Sequence, residues 1–76
     1  MEYRYTVNRI LRQTADELRP VAHEEADIEA RELVMHSLGV ESRAELAANV
    51  NKETNAEQYA KLREYILRRK TGEPLQ

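Results

Sequence analysis

The sequence contains no cysteine, phenylalanine or tryptophan, and only two glycines and two prolines among 76 residues. Without cysteine, neither a disulfide framework nor a thiolate zinc site can stabilise the fold. The scarcity of glycine and proline, with abundant Ala, Leu, Glu and Arg, predicts an all-α chain. The longest run without a formal charge, Leu33 to Val40, is far shorter than the ~20 residues of a membrane span. The N-terminus also lacks the apolar core of a secretory signal, so we expect no membrane partner and a cytoplasmic location.

Apolar residues recur at helical spacing along most of the chain, which predicts a small bundle of four to five short helices. We expect residues 1–71 to form this bundle and residues 72–76 to begin a linker. The first helix should end before Pro20, because a proline disfavours helical geometry in the residue that precedes it. The expected helices run from Thr6 to the residue before Pro20, from Glu24 to Leu38, from Arg43 to Ala48, and from Asn55 to about Thr71.

The last of these helices carries the clearest local signals. Asn55 and Gln58 have the spacing of a capping box, in which each side chain bonds the backbone N–H of the other residue. Three basic residues in the last turn, residues 68–70, suit the negative end of the helix dipole. Gly72 can adopt the left-handed conformation that closes a helix, and Pro74 cannot continue one.

Charge is distributed unevenly, although the net charge is only −2. Residues 23–32 are mainly acidic, and residues 56–72 are mainly basic. One interpretation is a pair of solvated helix faces of opposite sign. Another is that the basic end contacts an anionic partner or a neighbouring domain. A nucleic-acid-binding domain usually has a basic net charge, so the slightly acidic balance argues against nucleic acid as the partner.

No constellation of residues in the sequence indicates catalysis. His23 and His36 lack the i, i+4 spacing of a helical metal pair, and no glycine-rich phosphate loop is present. The serines and threonines have no accompanying base and oxyanion hole. We therefore expect no catalytic, cofactor-binding or metal-binding residue, and we expect that these 76 residues alone are not an enzyme.

The run R-R-K-T-G-E-P-L-Q, Arg68 to Gln76, resembles the end of the N-terminal helical domain of the HemK/PrmC family. These proteins are S-adenosylmethionine-dependent methyltransferases that modify the glutamine of the Gly-Gly-Gln motif in peptide chain release factors. The similarity extends upstream to Thr6–Leu11 and Leu33–Gly39 and covers essentially the whole chain. The residues that match the family's linker segment are Arg68, Arg69, Gly72, Glu73, Pro74 and Leu75.

This resemblance implies a domain that recognises or positions the release factor for a C-terminal methyltransferase domain. The family's Asn-Pro-Pro-Tyr motif and its glycine-rich loop for S-adenosylmethionine belong to that second domain, so we expect the chain to be part of a longer polypeptide. The candidate residues for contact with the release factor or with the second domain are Arg68, Arg69, Gly72, Glu73 and Pro74.

Other interpretations of the same residues stay open at this point. Arg68 and Arg69 can simply complement the helix end, with Glu73 paired to one of them. The chain as a whole can be a stand-alone nucleic-acid-binding module that uses its basic last helix. It can also be an adaptor or dimerisation module.

Overall fold

The computed structural model describes residues 5–72. Within that range the chain folds into four α-helices and one 3-10 turn, with no strand beyond an isolated bridge between Thr6 and Glu53. The predicted all-α bundle of four to five short helices is therefore confirmed. The elements are α1 (Val7–Ala22), the 3-10 turn (His23–Glu25), α2 (Ala26–Leu38), α3 (Arg43–Ala48) and α4 (Ala56–Lys70).

A single hydrophobic core lies between α1, α2 and α4. Helices α1 and α2 form the largest contact, and α4 packs against both. Ala26 and Ala30 are fully buried on α2, and their small side chains let the neighbouring helices approach closely. The largest fully buried aliphatic side chains are Ile10, Leu18, Leu33, Val34, Leu62 and Ile66. Among the residues described, no helix combines the length and the apolar character needed to cross a bilayer.

The expectation that α1 ends before Pro20 is wrong. The helix continues through this residue to Ala22, which is buried in the core one turn after Leu18. Pro20 lies on the exposed side of the last turn, where water can replace the hydrogen bond that a proline cannot make. The burial of Ala22 therefore outweighs the local effect of the proline. His23 ends the helix, with φ 53° and ψ −117°.

The structure shows well-formed caps at the end of α2 and at the start of α4, where the predicted capping box is confirmed. Gly39 has φ 76° and closes α2 in a Schellman motif, in which the Val40 N–H donates to the Met35 carbonyl at 3.1 Å. At the start of α4, the Gln58 N–H donates to Asn55 Oδ1 at 2.7 Å, and the Asn55 N–H donates to Gln58 Oε1 at 3.1 Å. These caps satisfy polar groups that a helix end leaves without partners.

The loop between α3 and α4, residues 49–55, covers the start of α1. The Val7 N–H donates to the Lys52 carbonyl and the Asn8 N–H donates to the Val50 carbonyl, both at 2.9 Å. These two N–H groups belong to the first turn of α1, where no partner exists within the helix. The loop is thereby fixed by the same bonds that complete α1.

Candidate functional site

The predicted contact residues cluster at the end of α4, in what we call the exit segment, residues 68–72. Arg68 and Arg69 lie in the last turn of the helix. Gly72 has φ 90°, and its N–H donates to the Arg69 carbonyl at 3.1 Å, which is the closing bond expected of a glycine after a helix. The other two predicted contact residues, Glu73 and Pro74, lie outside the described residues. The role of all five in contacting a partner stays a prediction.

Arg69 is bonded to Glu29 at the start of α2. Its Nε donates to Glu29 Oε1 at 2.6 Å and its Nη2 donates to Glu29 Oε2 at 3.2 Å. This bidentate arrangement, in which two N–H groups donate to the two oxygens of one carboxylate, is the strongest geometry that an arginine and a carboxylate can form. The two side chains are 26% and 23% exposed. The hydrogen bonds to Glu29 raise the pKa of Arg69 above its ordinary value, and the pair ties the end of α4 to α2.

Arg68 has a different environment from its neighbour. Its side chain is 58% exposed, and its Nη2 lies 3.7 Å from Glu64 Oε1, one turn earlier on the same helix. An ion pair of this kind, between two well-exposed side chains, adds only ~0.3–0.5 kcal/mol to helix stability. A partner could therefore displace Glu64 from Arg68 at little cost. Of the two arginines, Arg68 is the one that the fold presents to solvent.

Glu17 of α1 forms a second connection to α4. Its carboxylate accepts a hydrogen bond from Arg63 and lies 3.9 Å from Lys70 Nζ. The hydrogen bond to Glu17 raises the pKa of the Arg63 guanidinium above its ordinary value. The C-terminal half of α4 is consequently tied to α1 through Glu17 and to α2 through Glu29.

Sequence reasoning missed the contributions of Glu17, Glu29 and Arg63. The helical pattern places Glu17 outside the inward stripe of α1, as is typical of a solvated charge. Its partner Arg63 is 46 residues away in the chain, and Glu29 is 40 residues from Arg69. Only the excess of acidic residues at positions 23–32 and of basic residues at 56–72 hinted that the two segments attract one another.

The site offers binding and positioning groups. Its charged side chains either tie the helices together or, in the case of Arg68, lie exposed beside the point where the chain leaves α4. Within residues 5–72, no three His, Asp or Glu side chains come together in an arrangement that could hold a metal ion. His36 instead packs against the ring of Tyr65, with ring centroids 5.3 Å apart.

The chain belongs to the class of small all-α domains, and the ion pairs that join its last helix to the first two helices lie in the C-terminal half of that last helix. The family model for the PrmC N-terminal domain matches residues 9–76, and the chain belongs to this family. The match confirms the resemblance to HemK/PrmC proteins and associates the bundle with the PrmC methyltransferase. Searches among curated proteins and among solved structures gave no match.

Proposed function

We propose that this bundle is the substrate-recognition and positioning domain of an S-adenosylmethionine-dependent protein-glutamine methyltransferase. The substrate is the Gly-Gly-Gln motif of a peptide chain release factor. Membership of the PrmC N-terminal domain family supports this assignment. The structural observation that carries it is the attachment of α4 to both α1 and α2 within the exit segment.

The attachment of α4 to α1 and α2 lets the bundle control the direction of the helix that leads to the second domain. Because Glu29 holds Arg69 and Glu17 lies beside Lys70, the end of α4 has a defined direction relative to the other helices. A methyltransferase domain joined after residue 76 would then begin from a defined position. A release factor held by the bundle would meet that domain with restricted freedom, which lowers the entropic part of the barrier.

The chemistry belongs to the second domain in this proposal. S-adenosylmethionine would supply the methyl group there, and the bundle would hold and orient the protein substrate. Within the exit segment the two arginines take different roles. Arg69 fixes the helix end through Glu29, while the exposed Arg68 is suited to contact the release factor or the methyltransferase domain.

Kinetics of the full-length enzyme test the assignment. We expect Arg68→Glu to raise KM for intact release factor about fivefold or more, since reversing an interface charge weakens association. The same substitution should leave kcat unchanged for a short peptide that carries Gly-Gly-Gln, because a peptide does not reach the bundle. Lys61→Glu is the matched control, since Lys61 is an exposed cation on α4 that forms no ion pair within residues 5–72.

The outcome for Arg69 completes this test. Arg69→Glu also removes the bond to Glu29, so its effect on catalysis must be compared with its effect on thermal stability. If both arginine variants methylate intact release factor at the normal rate and unfold at the normal temperature, the exit segment has no role in the interface.

The alternative of a stand-alone nucleic-acid-binding module has less support from the charges of α4. Arg63, Arg69 and Lys70 each lie within ion-pair distance of an acidic residue on α1 or α2, so part of the basic charge of the helix is neutralised inside the bundle. A titration with duplex DNA and with RNA at low and moderate salt separates the two functions. A nucleic-acid-binding protein shows an affinity that falls steeply with salt, whereas we expect essentially no binding.

A further inference from the structure

A groove of about 320 Å³ lies between α1 and α2, apart from the exit segment. None of the residues that line it belongs to α4. Its described lining residues are Asn8, Leu11, Arg12 and Ala15 of α1 and Asp27 and Arg31 of α2. The groove therefore follows the contact between the first two helices.

Two arginines line this groove without an acidic partner among the residues that the structure describes. Within residues 5–72, neither Arg12 nor Arg31 lies within ion-pair distance of a carboxylate. Arg19 near the same groove behaves differently, because it lies 3.3 Å from Asp16 and 3.8 Å from Asp27. Asp27, the acidic side chain that lines the groove, is thus paired with Arg19. The unbalanced charge in the groove is the positive charge of the two guanidinium groups.

Apolar surface lies beside these arginines. Leu11 is partly buried and packs against the core, and Ala15 is 5% exposed. A groove with apolar atoms and two cations fits a peptide in which an acidic residue adjoins an apolar one. It fits a nucleic-acid backbone poorly, because such a backbone is bound through a series of cations, whereas the groove has two guanidinium groups without an ion pair among residues 5–72.

We propose that this groove binds an acidic peptide segment of a protein partner. Arg12 and Arg31 donate hydrogen bonds to its carboxylate groups, and Leu11 contacts the neighbouring apolar side chain. Guanidinium groups suit this task because their planar N–H donors match a carboxylate in geometry. The proposal goes beyond the exit segment and holds whether or not the release factor is the partner.

Nuclear magnetic resonance titration of the ¹⁵N-labelled chain tests the proposal. The probe is the blocked peptide acetyl-Leu-Glu-Glu-Leu-amide, and its glutamine analogue and inorganic phosphate serve as comparisons. We expect saturable shifts at the backbone amides of the groove with the acidic peptide, and at least about tenfold weaker binding of the glutamine analogue. This ratio corresponds to the loss of one charge-assisted hydrogen bond.

Substitutions locate the binding. Arg12→Gln and Arg31→Gln should each weaken peptide binding about tenfold, while far-UV circular dichroism shows that the helices are retained. Arg43→Gln is the matched control, because Arg43 is an exposed arginine of α3 without an ion pair in the described part of the chain. It should bind as the unchanged chain does.

Several results would overturn the proposal. These are equal binding of the glutamine analogue, equal loss of binding in Arg43→Gln, and no saturable shift with any of the three probes. Phosphate that binds the groove as tightly as the peptide would identify a general anion site. Groove shifts that depend on protein concentration without added peptide would mean that a second copy of the chain occupies the groove.

Discussion

The two ends of α4 are fixed to the rest of the bundle by different kinds of interaction. Near its start, the contacts are mainly backbone hydrogen bonds between the α3–α4 loop and the beginning of the described chain. Thr54 there donates to the Tyr5 carbonyl from both its N–H and its hydroxyl, at 2.9 and 3.2 Å. Near its C-terminal end, where Ile66 is also buried in the core, the polar contacts are side-chain ion pairs, Arg69 with Glu29 and Arg63 with Glu17.

The hydrogen-bonded connection near the start of α4 is therefore permanent, whereas the ion-paired connection near its C-terminal end is adjustable. Buried or half-buried backbone hydrogen bonds cannot be given up without leaving polar groups unsatisfied. Ion pairs between partly exposed side chains contribute modestly and are weakened by salt. They can also exchange one carboxylate for another. The exit end is therefore the part of the bundle where a second domain or a partner can alter contacts without disturbing the core.

The largest expected effect comes from Leu18→Ala, which removes a side chain from the hydrophobic core of the bundle. Leu18 is 0% exposed, so we expect a loss of ~2–5 kcal/mol of unfolding free energy. Urea unfolding followed by circular dichroism measures this loss, and a single transition should persist. Leu67→Ala, at a side chain that is 63% exposed, serves as the control and should change little. Two separate transitions would mean that the ends do not share one cooperative core.

His23→Gly, at the junction of α1 and the 3-10 turn, should raise the free energy of unfolding measured with urea. Outside glycine, His23 is the one residue with positive φ in the range 5–72, and its φ and ψ resemble the first central position of a type II′ turn, which favours glycine. Relief of this strain should add about 1 kcal/mol to the unfolding free energy. His36→Gly, within α2, should instead cost up to ~1 kcal/mol. A loss of stability in His23→Gly would contradict the conformation described for this residue.

At the other end, Thr54→Val should lower the unfolding free energy by about 1 kcal/mol. The substitution keeps the shape of a side chain that is 7% exposed, but it removes the hydroxyl that donates to the Tyr5 carbonyl. Since no charged group takes part, the loss should be the same in low salt and in ~1 M NaCl. A strong salt dependence of this loss would mean that charges also hold the loop.

A smaller effect than these should come from Glu17→Gln, whose carboxylate contacts the C-terminal half of α4. Loss of the contacts to Arg63 and Lys70 should cost less than ~1 kcal/mol, and the loss should disappear in ~1 M NaCl. Glu17 raises the pKa of Arg63 above its ordinary value. The stabilisation from this shift is therefore present below the unfolded pKa of arginine and is lost only as pH rises through the raised folded value.

The cost of Glu17→Gln should consequently be the same at about pH 7 and about pH 9, both far below the pKa of any arginine. Urea midpoints at the two pH values and at two salt concentrations give the measurement. Glu64→Gln, at the exposed pair with Arg68, is the matched control and should have a smaller effect still. If Glu17→Gln still lowers the unfolding free energy at high salt, the exit end is not held by screened charges.

Local signals were sufficient to predict most of the fold. The caps at Asn55 and Ser42 and the glycine at position 39 act within one turn of their own helix, so neighbouring residues in the sequence contain the information. The end of α1 could not be predicted in this way. It depends on the burial of Ala22, which outweighs the signal from Pro20 and becomes visible only when the other helices are in place.

Long-range contacts could not be predicted from single residues. The sequence places Arg69 in the last turn of a helix, where interaction with the dipole or with Glu73 is an equally good explanation of its charge. The structure bonds it to Glu29, 40 residues earlier. The carbonyl groups of Val50 and Lys52 that complete α1 are backbone atoms, and no side-chain pattern in the sequence indicates their position.

The most direct test of the account is calorimetric titration of the 76-residue chain with an intact peptide chain release factor. We expect saturable binding that Arg68→Glu weakens about fivefold or more and that Lys61→Glu leaves unchanged. Absence of binding, or the same affinity for the unchanged chain and for Arg68→Glu, would contradict the claim that this bundle recognises the release factor through its exit end.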